Sequence, residues 1–275
     1  MIELPEATVL SNQINEMVAG KRIINVLTAK SPHKFAWLNE NLQDYNNMLE
    51  GKVIDVAQAV GGFVEITVEG VVLLFCDGVN LRYHGEKGKR PQKHQLMLEF
   101  EDSSAMSASV QMYGGLWCFN KGEVDNSYYL NAKKRISPIS EEFNIEYFNG
   151  IYSSPGAEKL SAKALLATYQ RIPGLGNGTL QDILFNAKIH PKKKVGSFTE
   201  NDKSLLYNSI KTTLKEIVTY GGRDTEKDLF GNFGGYITKL SKNTVNKQCA
   251  ICGSTIIKEA YLGGSIYYCP HCQKI

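Results

Sequence analysis

Three patterns in the 275-residue chain predict a multidomain α+β protein: short β-rich runs in the first half, helical periodicity in the second, and paired cysteines near the end. The runs 52–57, 63–68, 71–76, 95–100 and 105–110 are separated by Gly61-Gly62, Glu69-Gly70, Asp77-Gly78 and Glu101-Asp102. Several short strands at such spacing predict an N-terminal β-sandwich or barrel. Ahead of them, residues 6–18 set Val9, Leu10, Ile14, Met17 and Val18 near one face, with Gly20 as the stop of an N-terminal helix. Beyond a polar connector at 125–142, the stretch 158–170 is rich in Ala, Leu and Lys. Residues 199–220 then carry Leu205, Leu206, Ile210, Leu214, Ile217 and Val218 on one stripe, with Thr199 placed to cap and Gly221-Gly222 to end a helix.

The cysteines refine the C-terminal end. Cys249, Cys252, Cys269 and Cys272 read C-x2-C, sixteen residues, C-x2-C. Two such knuckles can present four thiolates tetrahedrally to one structural zinc ion; the alternative is two independent redox motifs. Residues 256–261 and 265–268 flank Gly263-Gly264, so the predicted unit is a zinc-stapled β-hairpin too small to fold without its metal. Cys76 and Cys118 stand in apolar segments and are expected to be buried small hydrophobes.

With 43% hydrophobic and 21% charged residues, the composition is that of an ordinary globular protein. No apolar run approaches the roughly 20 residues of a membrane span. The N-terminus lacks the basic stretch and apolar core of a secretion signal, so a cytoplasmic location without disulfides is expected. The net charge of +3 is unevenly spread: residues 1–150 hold 14 Lys and Arg against 19 Asp and Glu, whereas 151–275 hold 17 against 9. A basic second half beside a more acidic scaffold suits a polyanionic partner.

Within that half, Ile172-Pro173-Gly174-Leu175-Gly176-Asn177-Gly178 runs directly into a helical stretch at 179–187. Glycines permit close backbone approach, and Asn177 can cap the helix while N–H groups point at an anion, so the segment reads as a phosphate-binding loop or as a Gly/Pro-rich connector. The following His190-Pro191-Lys192-Lys193-Lys194 is either a solvated loop or a set of sequence-independent phosphate contacts.

Four stretches then resemble the formamidopyrimidine-DNA glycosylase and endonuclease VIII family of base-excision DNA repair enzymes. They are Glu3-Leu4-Pro5-Glu6 with the helix after it and Gly20-Lys21-Arg22-Ile23; Lys93-His94 with 96–102; Pro173-Gly174-Leu175-Gly176-Asn177 with Asp182-Ile183-Leu184-Phe185 and Ile189-His190-Pro191; and 249–273. The resemblance implies a glycosylase-like β-sandwich domain at 1–130, a connector at 131–150, a helix-two-turn-helix domain at 151–245 and a zinc finger at 246–275. It also implies that damaged double-stranded DNA is the partner, held in the cleft between the halves; because the basic half and the cleft suffice for that, a monomer is expected, associated with the nucleoid when on DNA. Asn177 matches the family asparagine that holds a phosphate, with Gly176 beside it, and Lys93, His94, Lys192 and Lys193 are the further DNA-binding candidates.

In the family, the amine of an N-terminal proline attacks C1′ of the damaged nucleotide and the next residue, a glutamate, assists by proton transfer. Glu3 stands at that glutamate, but Ile2 replaces the proline. Met1 is expected to stay before a residue as large as isoleucine, moving the free amine by one Cα step, roughly 3.8 Å, a large shift for a nucleophile. The catalytic candidates are thus Glu3, Ile2 and Met1. The family's hairpin lysine falls at Gly62 and its zinc-finger arginine at Gly264, so two phosphate-gripping charges are missing. Met112 or Tyr113 could wedge into the base stack, the alternative being a plain hairpin turn. The function expected is a divergent DNA glycosylase that hydrolyses the N-glycosidic bond of a damaged base, with the departures counting against AP-lyase activity; the alternative is a non-catalytic protein that binds damaged or abasic DNA.

Overall fold

In the computed structural model, which describes residues 2–28, the backbone of 36–38, and residues 44–110 and 113–275, the chain forms a β-sandwich, a helical domain and a C-terminal hairpin. The chain order is α1 (Leu4–Met17), β1 (Ile23–Thr28), β2 (Ala36–Leu38), α2 (Asp44–Leu49), β3 (Ile54–Val60), β4 (Phe63–Val68), β5 (Val71–Phe75), β6 (Val79–His84), β7 (Leu96–Phe100), β8 (Ala105–Val110) and β9 (Gly114–Asn120). There follow α3 (Ser127–Lys133), α4 (Ile145–Tyr152), α5 (Ala162–Ala167), α6 (Thr179–Asn186), α7 (Glu200–Thr219), β10 (Ile257–Tyr261) and β11 (Gly264–Tyr268).

The sandwich stacks a four-stranded sheet, β1-β7-β8-β6, on a five-stranded sheet, β2-β9-β5-β4-β3. Its core joins Val26, Leu81, Leu96, Leu98 and Met106 of the first sheet to Val64, Ile66, Leu73, Leu116 and Cys118 of the second. β5 departs from the alternation of a half-exposed strand, since all five of its residues are buried. The cause is α3, whose Tyr129 and Ala132 cover the outer face of this sheet over Phe63, Val72, Leu74 and Phe119. The expected polar connector at 125–142 therefore contains a packed helix, capped by Asn126. The expected helix at 158–170 is likewise corrected: it is a single 3-10 turn at Ala157–Lys159 followed by α5, with Ser161 capping. α7 matches its prediction, with Thr199 and Asp202 closing a capping box.

α1 links the two halves. Its Ala7, Leu10 and Ile14 lie in the sandwich core, while Leu4 lies among Leu165, Leu175, Leu180 and Leu184 of the helical core. Leu229 makes the reverse crossing into the sandwich. The turn between β3 and β4 presses on the 172–178 loop so closely that a Cβ on Gly174 (φ +76°) would stand 2.4 Å from the carbonyl carbon of Gly61. Only glycine fits there.

Candidate active site and nucleic-acid interface

Glu3 lies at the meeting point of α1, α6 and the 172–178 loop. The backbone N–H of Leu4 donates to Gly174 O at 2.9 Å, seating the N-terminal segment on the loop. The Glu3 carboxylate then accepts from Gly176 N at 3.2 Å, Gly178 N at 2.7 Å, Thr179 N at 2.8 Å and the Thr179 hydroxyl. Glu3 is thus the anion at the start of α6, which overturns the expectation that Asn177 caps this helix: Gly178 holds the cap position and its flanking N–H groups are filled from within the protein. A Cβ at Gly178 would meet Arg223 Nη1 at 1.6 Å, so the loop's glycine is required by this packing.

Arg223 sits beneath the pair Glu3 and Glu6. Its Nε and Nη2 donate to Glu6 at 2.8 Å each, and Nη1 lies 3.6 Å from Glu3 Oε1. All three side chains are buried. Burial pushes the Glu3 carboxyl up, but the Arg223 charge and the hydrogen bonds from Thr179 and Gly178 outweigh it, and the net shift is downward. Arg223 is held above its ordinary value by the two carboxylates in spite of burial. Glu6 was legible in principle, since Glu3 and Glu6 have capping-box spacing and Glu3 N donates to Glu6 at 3.3 Å. Arg223 carried no local signal; only the fold brings it here.

A cavity of about 140 Å³ opens at this point, lined by Ile2, Glu3, Gly62, Cys76, Asp77 and Tyr128 among others. It adjoins a larger one of about 510 Å³ between Asp77, Arg82 and Tyr113 of the sandwich and Glu226, Lys227 and Phe233 of the second half. Ile2 packs its side chain into the sandwich core. Gly62 stands where a charged side chain would face the N-terminal segment: a Cβ built there would lie 3.3 Å from Ile2 O. Met1 and Met112 lie outside the described residues. Tyr113 lines the larger cavity, and its hydroxyl donates to Asp77 Oδ2 at 3.3 Å. Cys118 is buried as expected, but Cys76 is only partly so and faces the smaller cavity; burial pushes both thiols up to about 12, far from the reactive thiolate range.

Most of the other nucleic-acid candidates are engaged by protein partners. Asn177 Nδ2 donates to Ser265 O of β11 at 2.8 Å, and Gly176 serves Glu3. Lys192 pairs with Glu259, Lys193 with Asp202 at 2.8 Å, and Lys194 donates to Lys159 O. Lys93 is exposed, and His94 Nδ1 contacts Pro91 O; no described contact brings either to Glu3. A cation nevertheless stands beside Gly264. Lys163 Nζ, which donates to Tyr261 O at 2.6 Å, would lie 3.4 Å from a Cβ on Gly264, with the Asn177 amide at 3.6 Å.

Cys249, Cys252, Cys269 and Cys272 place their sulfurs within 4.8 Å of one another, with Cys252–Cys269 at 3.4 Å and Cys249–Cys272 at 3.9 Å. A tetrahedral zinc–thiolate site with bonds of about 2.3 Å has sulfurs about 3.8 Å apart, so the four residues fit one ion. They flank β10 and β11, paired from Ile257 with Tyr268 to Tyr261 with Gly264.

Residues 136–228 match the formamidopyrimidine-DNA glycosylase H2TH domain. The formamidopyrimidine-DNA glycosylases of Cytobacillus firmus and Listeria innocua are each 26% identical, over 99% and 100% of this chain and 100% of their own lengths. Among solved structures, the Lactococcus lactis Fpg in complex with abasic-site DNA gives a TM-score of 0.84 at 23% identity, covering 99% of this chain and 100% of that one. The Thermus thermophilus MutM (Fpg) protein gives 0.82 at 22%, covering 98% of each. With a helix-two-turn-helix domain, a β-sandwich before it and a four-cysteine hairpin after it, the chain shares the fold of these proteins and is similar along its whole length to formamidopyrimidine-DNA glycosylases.

Proposed function

We propose that the chain is a DNA glycosylase that binds damaged duplex DNA in the cleft between its halves and cleaves the N-glycosidic bond of the damaged base. The observation that carries this reading is the Glu3 site. The glutamate expected from the family is seated at the mouth of a cavity between the two halves, beside a pocket of about 510 Å³. That volume is within the range of small-ligand sites and ample for a base turned out of the duplex. Relatives that span the whole chain are named as formamidopyrimidine-DNA glycosylases, and the Lactococcus lactis Fpg was solved on abasic-site DNA. A zinc ion held by Cys249, Cys252, Cys269 and Cys272 would be structural, fixing the hairpin that carries Ser265 to Asn177.

With Ile2 in place of proline and Met1 expected ahead of it, the free amine is displaced by one Cα step, roughly 3.8 Å, a large shift for a nucleophile, so hydrolysis rather than strand cleavage through a Schiff base is the expected chemistry. A second reading, a lesion-binding protein without chemistry, is favoured by one observation: the Glu3 carboxylate is spent on backbone N–H groups and Arg223, as a structural cap would be. Base release from a panel of duplexes with one lesion each, combined with borohydride trapping on an abasic-site duplex, separates the readings. Release without trapping supports the hydrolytic glycosylase, tight binding with neither supports the sensor, and a trapped adduct restores an amine mechanism.

A further inference from the structure

Asp77 occupies the turn Cys76–Gly78, where the chain leaves β5 of one sheet and enters β6 of the other at the edge of the sandwich. It is a wall of both cavities, the small one that holds Glu3 and the larger one beyond it, and so stands between Glu3 and the space for a turned-out base. Its two oxygens differ. Oδ2 accepts from the Tyr113 hydroxyl at 3.3 Å, whereas Oδ1 is buried and has no hydrogen-bond partner among the described residues. A buried carboxylate oxygen left without a donor is costly in a folded protein, and on the wall of two cavities the Asp77 carboxylate has only to turn to meet a proton donor held in either of them.

Glu3 offers the opposite. One of its oxygens accepts from Gly176 N, Thr179 N and the Thr179 hydroxyl, and the other from Gly178 N beside the Arg223 guanidinium. A carboxylate has about four lone-pair sites, and here four donors and an ion pair already claim them. The environments also separate the two acids. Burial raises Asp77, and the Glu3 charge adds to that, against the opposing pull of the N-terminal amine and of hydrogen bonds from Tyr113 and Gly78; at Glu3, Arg223 and the hydrogen bonds from Thr179 and Gly178 outweigh burial and bring it down.

We propose that Asp77, rather than Glu3, is the group that takes the proton from the attacking water in this chain's excision reaction. The proposal rests on the glycosylase reading above. In the step, the water oxygen forms a bond to C1′ and one of its protons passes to the Asp77 carboxylate. The C1′–N bond breaks with its electron pair leaving on the base nitrogen, which takes a proton from solvent in the open cleft. Asp77 returns its proton to solvent, and the net change is addition of one water across the glycosidic bond. Glu3 stays ionised, where its charge favours the positive character that develops on the sugar. Cys76, the neighbouring thiol, is no rival nucleophile at a pKa of about 12.

The test compares the full chain, its N-terminus confirmed by mass spectrometry, with Asp77→Asn and Asp77→Glu on duplexes containing one formamidopyrimidine or one 8-oxoguanine. Single-turnover base release is measured beside equilibrium binding to an abasic-site duplex at fixed salt. Asp77→Asn is expected to slow release about 100-fold or more, with affinity for the abasic duplex kept within about threefold of the unaltered protein, and Asp77→Glu to recover part of the rate. Release by Asp77→Asn at the unaltered rate overturns the assignment to Asp77 and leaves the glycosylase reading standing. Equal losses of rate and of abasic-site affinity overturn it too, because they make Asp77 a structural residue. No base release by the unaltered protein, with the abasic duplex still bound, overturns the glycosylase reading itself and Asp77's role with it.

Discussion

Replacing Glu3 by glutamine alters one atom and one charge, yet the structure expects it to disturb folding as much as chemistry. A glutamine amide must turn its NH2 either toward Gly176 N and Thr179 N or toward Gly178 N and Arg223, so donors face donors in either orientation. Breaking a buried ion pair from one side costs about 3 kcal/mol, and for a chain of this size that corresponds to a fall in Tm of about 6–12 °C. Thermal melts of Glu3→Gln against the unaltered protein check this. Loss of excision in that variant would therefore not by itself identify a catalytic group. The pH dependence has a definite sign. Because the folded-state pKa of Glu3 lies below the ordinary glutamate value of 4.5, its contribution is complete above that pH and is lost as pH falls through the folded value. The difference between the two melting curves is expected to be constant from pH 7 to 5 and to shrink below about 4.5. Glu3 was legible as a functional residue from the Glu3-Leu4-Pro5-Glu6 segment. Its partners Thr179 and Arg223 were not, since 176 and 220 residues of chain separate them from it, and nothing local marks a buried arginine that answers two acids.

The C-terminal hairpin is an element whose making was plain in the sequence and whose docking was not. Two C-x2-C pairs around Gly263-Gly264 predict the knuckles and the turn, and the structure has both, with the turn at Leu262 and Gly263. What seats the hairpin on α6 is Gln181, an unremarked helix residue that is almost fully buried. Its Oε1 accepts from Tyr267 N at 3.0 Å and its Nε2 donates to Ser265 O at 3.1 Å and Asn177 O at 2.9 Å. Gln181→Ala leaves these backbone groups unpaired and is expected to cost about 2 kcal/mol, seen as faster amide exchange in 257–268 with the sandwich strands unchanged. Metal removal is expected to go further. A hairpin with Tyr268, Ile266 and Ile256 as its main buried apolar residues has too little core to stand alone. A strong chelator should abolish amide protection across β10 and β11 and weaken duplex binding, while near-ultraviolet signals from the sandwich aromatics persist; an unchanged hairpin after chelation would show that the cysteines do not need an ion. The elements that escaped the sequence share a cause. α3 was hidden because polar residues surround the few that cover β5, although the unbroken run Val71–Phe75 already required a second layer over that strand. The 158–170 stretch shortened because Leu160 and Ser161 are extended, breaking it at one end, and Thr168 is extended again, ending α5 before Tyr169 and Gln170.

At the scale of the whole molecule, the charge split between the halves predicts binding that weakens steeply with salt, because each phosphate neutralised by a lysine or arginine releases a counterion. The structure adds that the lysines most conspicuous in the sequence are poor contributors to it. Lys192 and Lys193 are paired with Glu259 and Asp202, so neither can meet a phosphate at full charge without first leaving a carboxylate. Lys163, by contrast, has no carboxylate partner among the described residues, and burial lowers its pKa, so an approaching phosphate would relieve an uncompensated charge. It stands beside Asn177 and the Gly264 backbone, where the resemblance leads us to expect an arginine. The slope of log K against log salt for an abasic-site duplex between 50 and 200 mM distinguishes these cases. A lysine that holds a phosphate takes about one unit from the slope when removed. Lys163→Met is expected to show that loss, and Lys192→Ala and Lys193→Ala each less than about a third of it. Equal losses at all three positions would mean that the ion pairs open on DNA and that the basic run after α6, read from sequence as a phosphate-binding stretch, serves as one. No loss for Lys163→Met would leave the vacant arginine position without a substitute and move the electropositive part of the interface elsewhere in the second half.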